Sequence, residues 1–285
     1  MGTGSAESLS AAVECVCRDL AEGLLDGTVS SDEVEQVKLE LCRAHDADRV
    51  PKHSEILNHA PDGRRDELAA TLKRKPVRTA SGVSPVAIMT SPAGCPHGKC
   101  LYCPGGPASE FSSAQSYTGH EPAAARGVQT DYDPYAQVTL RLEQLRNIGH
   151  PVEKVDLILM GGTMTARSHD YQEWFVKRAL AAMNDYDPSG TPDPSHQAVM
   201  ASLPDPPDFR YTEDVIAANE TADVRCIGIT FGTKPDWCGP EQIDRMLRLG
   251  GTNVYVGVQT TFDSINRDMH RGHGVPASID ANRRL

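Results

Sequence analysis

"SPAGCPHGKCLYCPGGP", residues 91–107, is the stretch that decides how the chain is interpreted. It carries Cys95, Cys100 and Cys103 with four and then two residues between them, among four prolines and four glycines. Three explanations are open from this spacing alone. The thiols bind zinc, close a disulfide, or hold an iron–sulfur cluster through three thiolates that leave one iron free.

Composition narrows these explanations. The chain has 285 residues, a formal net charge of −11 and eight cysteines, far below the cysteine density of a small disulfide-stapled domain. No secretory leader pattern opens the sequence, and no apolar run approaches the roughly 20 residues that a membrane span needs. We therefore expect a soluble, cytoplasmic protein whose clustered cysteines hold metal rather than each other.

Short apolar runs alternate with amphipathic segments around the cysteine loop. We predict strands at residues 83–90, 154–160, 225–231 and 253–258, with helices between them, and the second strand is expected to be buried on both faces. Four strand–helix units in order predict an α/β fold, an incomplete TIM-like partial barrel, because a complete barrel has eight units. We therefore expect further sequence beyond residue 285. The acidic, proline-rich stretch 185–214 is predicted to be an exposed loop.

The first eighty residues predict a small helical region. One helix face is indicated by five apolar residues at spacings of three and four: Leu9, Val13, Val16, Leu20 and Leu24. Ser30 and Glu33 predict a capping box that starts a second helix. Residues 64–80, called the basic segment below, carry six basic residues against two acids, whereas residues 181–224 carry nine acids and one arginine. The basic segment is compatible with a nucleic-acid contact or with an ordinary solvated helix face.

The position of the cysteine loop separates zinc from iron–sulfur chemistry. His97 is available as a fourth zinc ligand, but structural zinc sites usually draw on a second, distant ligand pair, and no second CxxC pair exists here. The loop directly follows the first predicted strand, and the next strand ends in Gly161 and Gly162. Parallel strands place their carboxyl ends, and their chemistry, at one edge. These features favour a three-cysteine cluster loop beside a site for S-adenosylmethionine (SAM).

Seven motifs carry a family resemblance: "TASGVSPVAIM", "CPHGKCLYCPGGP", "QSYTGHEP", "YDPY", "VDLILMGGT", "CIGITFGTKPDWC" and "VGVQTTFDSINRDMHRGH". Together they resemble the Elongator catalytic-subunit family, the tRNA carboxymethyluridine synthases, in its archaeal form, from about Asp62 to the last residue. The resemblance implies a tRNA-binding helical region at 1–80, a radical SAM domain at 81–285, and a GNAT acetyltransferase domain that these residues do not include. It implies modification of tRNA wobble uridine at C5 with a [4Fe–4S] cluster, SAM and, in complete family members, acetyl-CoA.

Site residues follow from the same resemblance, although none is assigned as catalytic. The cluster ligands are expected at Cys95, Cys100 and Cys103, and the SAM contacts at Gly161, Gly162 and Gln259. The tRNA contacts are expected at Lys73, Arg74, Lys75, Arg78 and Arg126. The family's RGH signature is matched by Arg271, Gly272 and His273. At Gly232 and Lys234 the sequence departs from the family's usual "ETRPD". The glycine lacks the carboxylate of the glutamate, and the lysine lacks the planar guanidinium of the arginine. Cys226 and Cys238 are expected to be small buried residues.

The function expected from these residues is part of a larger reaction. The 285 residues are not expected to complete the modification alone, and a separate chain with the acetyltransferase half is an expected partner beside tRNA. Three alternatives are a non-catalytic tRNA-binding remnant, a radical SAM enzyme with a substrate other than tRNA, and a zinc-binding interaction module.

Overall fold

The computed structural model describes residues 10–110, 112–204 and 211–285, which divide into two compact units. One unit contains the described residues up to Ser84 together with Leu142–Val152 and Ser189–Ala198. The other contains the described residues of Pro85–Arg141, Glu153–Pro188 and Val199–Leu285. Each unit is considered by itself below.

The first unit is built on short helices, as the sequence indicates. They are α1 (Ala11–Asp26), α2 (Val34–Ala44), α3 (His53–Leu57) and α4 (Arg65–Leu72). The Ser10 hydroxyl accepts from the Val13 amide to cap the start of α1, and Gly27, with a φ of 81°, is the C-cap residue after Asp26. Apolar residues from all four helices form one core: Val13, Cys17, Leu20, Ala21, Val34, Ile56, Leu57, Leu68, Ala69 and Leu72.

The predicted face of the first helix is confirmed for the described residues. Val13, Val16 and Leu20 are fully buried, and Leu24 is half-buried against the same core, while Leu9 lies outside the described residues. The predicted capping box forms on one side only. Glu33 itself occupies the N-cap of α2, so its carboxylate accepts from the Ser30 amide and hydroxyl at 3.2 and 2.6 Å, and no serine oxygen caps the helix.

A four-stranded sheet forms the centre of the second unit, in the order β1–β2–β3–β4. The strands are β1 (Ser84–Met89), β2 (Lys154–Met160), β3 (Arg225–Thr233) and β4 (Asn253–Val256). The β2–β3 and β3–β4 pairs are parallel, with Leu157 opposite Ile229 and Phe231 opposite Val254. All four strands were predicted from sequence, and sequential parallel strands confirm the α/β prediction.

Helices connect successive strands. Between β1 and β2 lie α5 (Pro122–Gln129) and α6 (Pro134–Asn147), and between β2 and β3 lie α7 (His169–Asn184), α8 (His196–Ala201) and α9 (Thr212–Asn219). The connection from β3 to β4 is α10 (Pro240–Arg248), and α11 (Asp263–Asp268) and α12 (Val275–Arg284) follow β4. This topology brings the loops after β1, β2 and β3 to the same edge of the sheet.

Two local predictions are wrong. The described residues of the stretch 185–214 are not simply an exposed loop, because they contain α8, whose Val199 is buried against Ala136 and Leu140 of α6. Residues 205–210 of this stretch lie outside the described residues. Strand β2 is buried fully on one face only: its alternate residues Val155, Leu157 and Leu159 are at most 1% exposed, whereas the residues between them are half-buried. Alternation along a strand exposes two different faces, and only one is fully packed here.

Among the helices of the described ranges, α1 to α12, none is both long and apolar enough to cross a membrane.

Candidate functional site

The cysteine loop begins directly after β1 and is fixed by a glutamine. Cys100 and Cys103 are each 6% exposed, and Cys95 is half-buried. The amide nitrogen of Gln115 donates to the Gly98 carbonyl at 2.7 Å, and its amide oxygen accepts from the Cys95 backbone N–H at 2.7 Å. Gln115 thereby clamps the first turn of the loop from both sides.

Each cysteine sulfur has a polar neighbour. The Ser116 backbone N–H donates to Cys103 Sγ at 3.2 Å, and the Thr163 hydroxyl lies 3.5 Å from Cys95 Sγ. Cys100 Sγ lies 3.2 Å from His97 Nε2 and 3.4 Å from Arg271 Nη1. Burial raises the pKa of the Cys95 thiol, against the lowering effect of the Thr163 hydroxyl. Hydrogen-bond donors around sulfur suit thiolate ligands, so these residues fit a cluster bound through three cysteines.

The two glycines after β2 lie against this loop, for two different reasons. Gly161 has a φ of +124°, and a Cβ there would lie 2.0 Å from Thr90 Oγ1, at the end of β1. Gly162 has a φ of +52°, and a Cβ there would lie 3.9 Å from Cys95 Sγ. The packing of Thr90 therefore explains why residue 161 is a glycine, whereas Gly162 lies beside Cys95, a candidate cluster ligand.

Lys234, at the end of β3, reaches the cysteine loop. Its ammonium lies 2.8 Å from His97 Nδ1, 2.8 Å from the Arg271 carbonyl and 3.3 Å from the Asp236 carboxylate. Burial lowers the pKa of Lys234 although Asp236 opposes this, and burial with the nearby ammonium lowers the pKa of His97. The sequence departure from arginine thus lies inside the site, 5% exposed, rather than at its margin.

The RGH signature packs on the same loop. Gly272 has a φ of +75°, and a Cβ there would lie 2.5 Å from His97 Cβ, so the backbone approaches His97 closely. Arg271 Nη1 lies 3.4 Å from Cys100 Sγ and donates to the Tyr102 hydroxyl at 2.8 Å. The His273 side chain is 1% exposed beside Asp236, and burial lowers its pKa. This signature closes one side of the cysteine loop.

Gln259 and Gly232 occupy more open positions. Gln259 is exposed, lies beyond the end of β4 and has a φ of +69°. A Cβ at Gly232 would lie 3.6 Å from the Leu159 carbonyl, an ordinary contact, so the missing carboxylate leaves room at this strand end. Among the residues in the described ranges, no group of three His, Cys, Asp or Glu side chains is arranged to hold a single metal ion. In a cluster each thiolate binds a different iron, so the ligands stand further apart.

Two protein-family profiles match this chain. The profile of the Radical SAM superfamily matches residues 89–285, more than two thirds of the chain. The chain belongs to the radical SAM superfamily. The profile of the ELP3 N-terminal domain matches residues 13–80 of this radical SAM protein. The resemblance to the Elongator catalytic-subunit family is thereby confirmed.

Named relatives of this radical SAM protein are longer than it is. It is 44% identical over 263 residues to the tRNA uridine(34) acetyltransferase of Methanocaldococcus jannaschii, covering 90% of this chain and 44% of the relative. It is 34% identical over 263 residues to Elongator complex protein 3 of Saccharomyces cerevisiae, covering 90% of this chain and 43% of the relative. The solved structure of archaeal Methanocaldococcus infernus Elp3 with an N-terminal deletion matches at a TM-score of 0.48 and 34% identity, over 70% of this chain and 34% of that chain. The chain spans about half the length of the curated relatives it matches.

The basic segment of this radical SAM protein is accessible where it was predicted to bind tRNA. Arg74, Lys75 and Arg78 are exposed and Lys73 is half-buried, in the turn after α4 and the short 3-10 helix Pro76–Thr79. Arg126 differs, because it is 9% exposed on α5 and donates to the Ala87 carbonyl of β1 at 2.9 Å. That position favours a structural role over a contact with tRNA phosphate.

Sequence reasoning missed the residues that surround the sulfurs of this radical SAM protein. Gln115 and Ser116 lie in "QSYTGHEP", which was recognised as a family motif without a role for either residue. Gln115 is 5% exposed, so its amide needs partners on both its atoms, but this burial cannot be read from the local sequence. The contacts of Lys234 and Arg271 depend on the tertiary structure in the same way.

Proposed function

We propose that this chain is the tRNA-binding and radical SAM part of an enzyme that modifies C5 of the tRNA wobble uridine. The observation that carries the proposal is that the cysteine loop after β1 lies against Gly162 after β2. A Cβ added at Gly162 would be 3.9 Å from Cys95 Sγ. Relatives named tRNA uridine(34) acetyltransferase support this substrate. For the whole reaction we propose acetyl-CoA as the cosubstrate and an acetyltransferase half, on this protein or on a separate partner chain, as the part that uses it.

Cys95, Cys100 and Cys103 are the proposed ligands of a [4Fe–4S] cluster. Their thiolates would hold the cluster, and a reduced cluster with SAM would supply radical chemistry that begins with one-electron cleavage of the sulfonium. The chain contributes the thiolates, the donors that stabilise them, and a loop buried enough to limit water at two of the three sulfurs. Gln115 holds the loop in this shape through its two hydrogen bonds.

The proposed SAM contacts are Gly162 and Gln259. Gly162 lets the backbone after β2 approach a ligand because it has no side chain at a φ of +52°. Gln259 offers an exposed amide beyond the end of β4. Gly161 supports the same turn indirectly, because its contact with Thr90 determines where Gly162 lies.

The basic segment is the proposed tRNA contact. Lys73, Arg74, Lys75 and Arg78 present positive charge on a chain whose formal net charge is −11, so phosphate binding is confined to few places. We do not include Arg126 among these contacts because its guanidinium is buried against β1.

Anaerobic reconstitution with iron and sulfide tests the cluster. We expect wild type and Cys15→Ser, a matched change on α1, to contain four irons and four acid-labile sulfides as a rough stoichiometry, and Cys100→Ser to lose most of both. After reduction with dithionite, wild type should convert SAM to 5'-deoxyadenosine. A colourless wild-type chain with one tightly bound zinc would overturn the radical SAM proposal.

Electrophoretic mobility shifts with tRNA at several salt concentrations test the basic segment. Arg74→Ala with Arg78→Ala should weaken binding and reduce the salt slope by about two, since each phosphate contact contributes about one. Arg43→Ala, an exposed arginine on α2, is the matched control and should bind as wild type does. An unchanged slope in the double variant would place the tRNA contact elsewhere. Binding of tRNA without SAM cleavage would leave a tRNA-binding remnant as the function.

A further inference from the structure

The Cys100 sulfur lies at the end of a chain of side-chain contacts. His97 Nε2 lies 3.2 Å from Cys100 Sγ, and His97 Nδ1 lies 2.8 Å from Lys234 Nζ. Arg271 Nη1 lies 3.4 Å from the same sulfur. These contacts join the cysteine loop, the end of β3 and the segment after α11, although 137 residues separate His97 from Lys234.

The partners of Lys234 fix the direction of its hydrogen bonds. An ammonium has three N–H donors and no acceptor. Nζ of Lys234 faces three acceptors: the Arg271 carbonyl at 2.8 Å, the Asp236 carboxylate at 3.3 Å and His97 Nδ1 at 2.8 Å. The His97 Nδ1 atom therefore accepts and carries no proton.

The other nitrogen of His97 is settled by the same argument. A neutral imidazole has one N–H, so Nε2 carries the proton when Nδ1 accepts. Nε2 then donates to Cys100 Sγ, and its lone pair is not available to bind metal. Gly272 keeps the ring in place, because its backbone packs so closely that an added Cβ would lie 2.5 Å from His97 Cβ.

We propose that Lys234 is a positioning residue that holds His97 as its Nε2–H tautomer, so that His97 donates to the Cys100 thiolate and is not a metal ligand. With Arg271, this gives one cluster thiolate two side-chain donors. Donors to sulfur stabilise the more negative, reduced form of a cluster, so the pair raises its reduction potential. The inference rests on the proposed function for the cluster itself.

Potentiometric titration of the reconstituted chain tests this role. We expect His97→Ala to keep the iron and sulfide content of wild type and to shift the midpoint potential to a more negative value. Lys234→Met should shift the midpoint potential in the same direction. Lys234→Arg should keep the wild-type potential, because arginine, like the lysine ammonium, only donates hydrogen bonds. Lys99→Met is the matched control, because it removes an exposed ammonium from the same loop and should leave the potential unchanged.

The double variant separates action through His97 from the lysine's own charge. If Lys234 acts through the imidazole, adding Lys234→Met to His97→Ala produces no further shift. A further shift equal to that of Lys234→Met alone would overturn the proposal, as would loss of cluster from His97→Ala. A wild-type chain that takes up no cluster contradicts the proposed function instead, so the two failures are distinguishable.

Nuclear magnetic resonance of the metal-free chain gives a readout that does not depend on the cluster. With 15N-labelled histidine, the ring-nitrogen shifts distinguish the two neutral tautomers, and His97→Ala assigns the signal among the ten histidines. We expect the Nε2–H form for His97 in wild type. The Nδ1–H form would overturn the proposal whatever the reduction potentials of the variants.

Discussion

Gly161→Ala tests why two glycines follow β2. The added methyl group would lie 2.0 Å from Thr90 Oγ1, 3.1 Å from its Cβ and 3.2 Å from its backbone nitrogen. Thr90 has little freedom to move, since it is 1% exposed and its amide donates to the Met160 carbonyl at 2.8 Å. The alanine would also have to adopt a φ of +124°.

The magnitude follows from these two effects. A side chain in a sparsely populated backbone region costs about 1–3 kcal/mol. Forcing an extra methyl group into a packed site costs about 1–3 kcal/mol more. We expect Gly161→Ala to lower the free energy of unfolding by about 4 kcal/mol. With a urea m-value of about 2 kcal/mol/M, the unfolding midpoint should fall by about 2 M.

Gly162→Ala is expected to behave differently. Its φ of +52° lies in the left-handed helical region, and its nearest neighbours would be 3.7 Å or more from the new Cβ. The cost is about 1–2 kcal/mol. If SAM approaches this turn as proposed, the folded Gly162→Ala chain should bind SAM more weakly in isothermal titration calorimetry after reconstitution.

Urea unfolding followed by circular dichroism measures both costs, with Gly232→Ala as the matched control near the end of β3. That position has an ordinary 3.6 Å contact and no positive φ, so Gly232→Ala should change the free energy of unfolding by no more than about 0.5 kcal/mol. Wild-type stability in Gly161→Ala would refute the reasoning from Thr90. Equal destabilisation at Gly161 and Gly162 would refute the division of roles between them.

Three further predictions concern residues outside the cysteine loop. Burial raises the pKa of the Cys226 thiol to about 12, so iodoacetamide at pH 8 should label it only after unfolding, as peptide mass spectrometry would show. Burial alone would raise the pKa of Glu55, but hydrogen bonds led by Arg49 hold it below its ordinary value. The resulting stability is present above the unfolded pKa of about 4.3 and is lost as pH falls through the folded value, so Glu55→Gln should flatten the acid side of the stability profile. Arg178→Met removes the partner of Asp133 in a pair 2.5 Å apart and should cost about 3 kcal/mol in urea unfolding.

Each of these has a result that contradicts it. Labelling of Cys226 in the folded chain would show that the thiol is accessible, and an unchanged acid profile in Glu55→Gln would show that the carboxylate does not contribute. For Arg178, the control is Arg283→Met in an exposed pair with Asp280, which should cost less than about 1 kcal/mol. Equal costs at the two arginines would contradict the role of burial.

Local apolar pattern was enough to predict most of the fold. Strand β2 has the bounds 154–160 that the run "KVDLILM" predicts, although this run did not reveal that only one face of the strand is fully buried. Helix α8 was missed because Val199 stands in an acidic, proline-rich stretch. Its burial depends on Ala136 and Leu140, about sixty residues earlier, and no local pattern contains that information.

The candidate site divides in the same way. The cysteines and the glycines after β2 were predictable, because their spacing and their place after strands are properties of short segments. Lys234 was interpreted as the loss of a planar guanidinium, whereas the structure gives its ammonium three acceptors. Which atoms a side chain meets across the sheet edge depends on the tertiary structure, and residue type alone does not specify it.

The contact between the RGH signature and the cysteine loop determines when, during protein synthesis, the loop acquires its neighbours. Cys103 leaves the ribosome 168 residues before Arg271, an interval of roughly 8–34 s at about 5–20 residues per second. During that interval the nascent loop lacks Lys234, Arg271 and the close packing of Gly272 on His97. If the proposed cluster is delivered after Arg271 has folded onto the loop, it meets a Cys100 that already has the contacts described above, whereas earlier delivery meets three thiols without them.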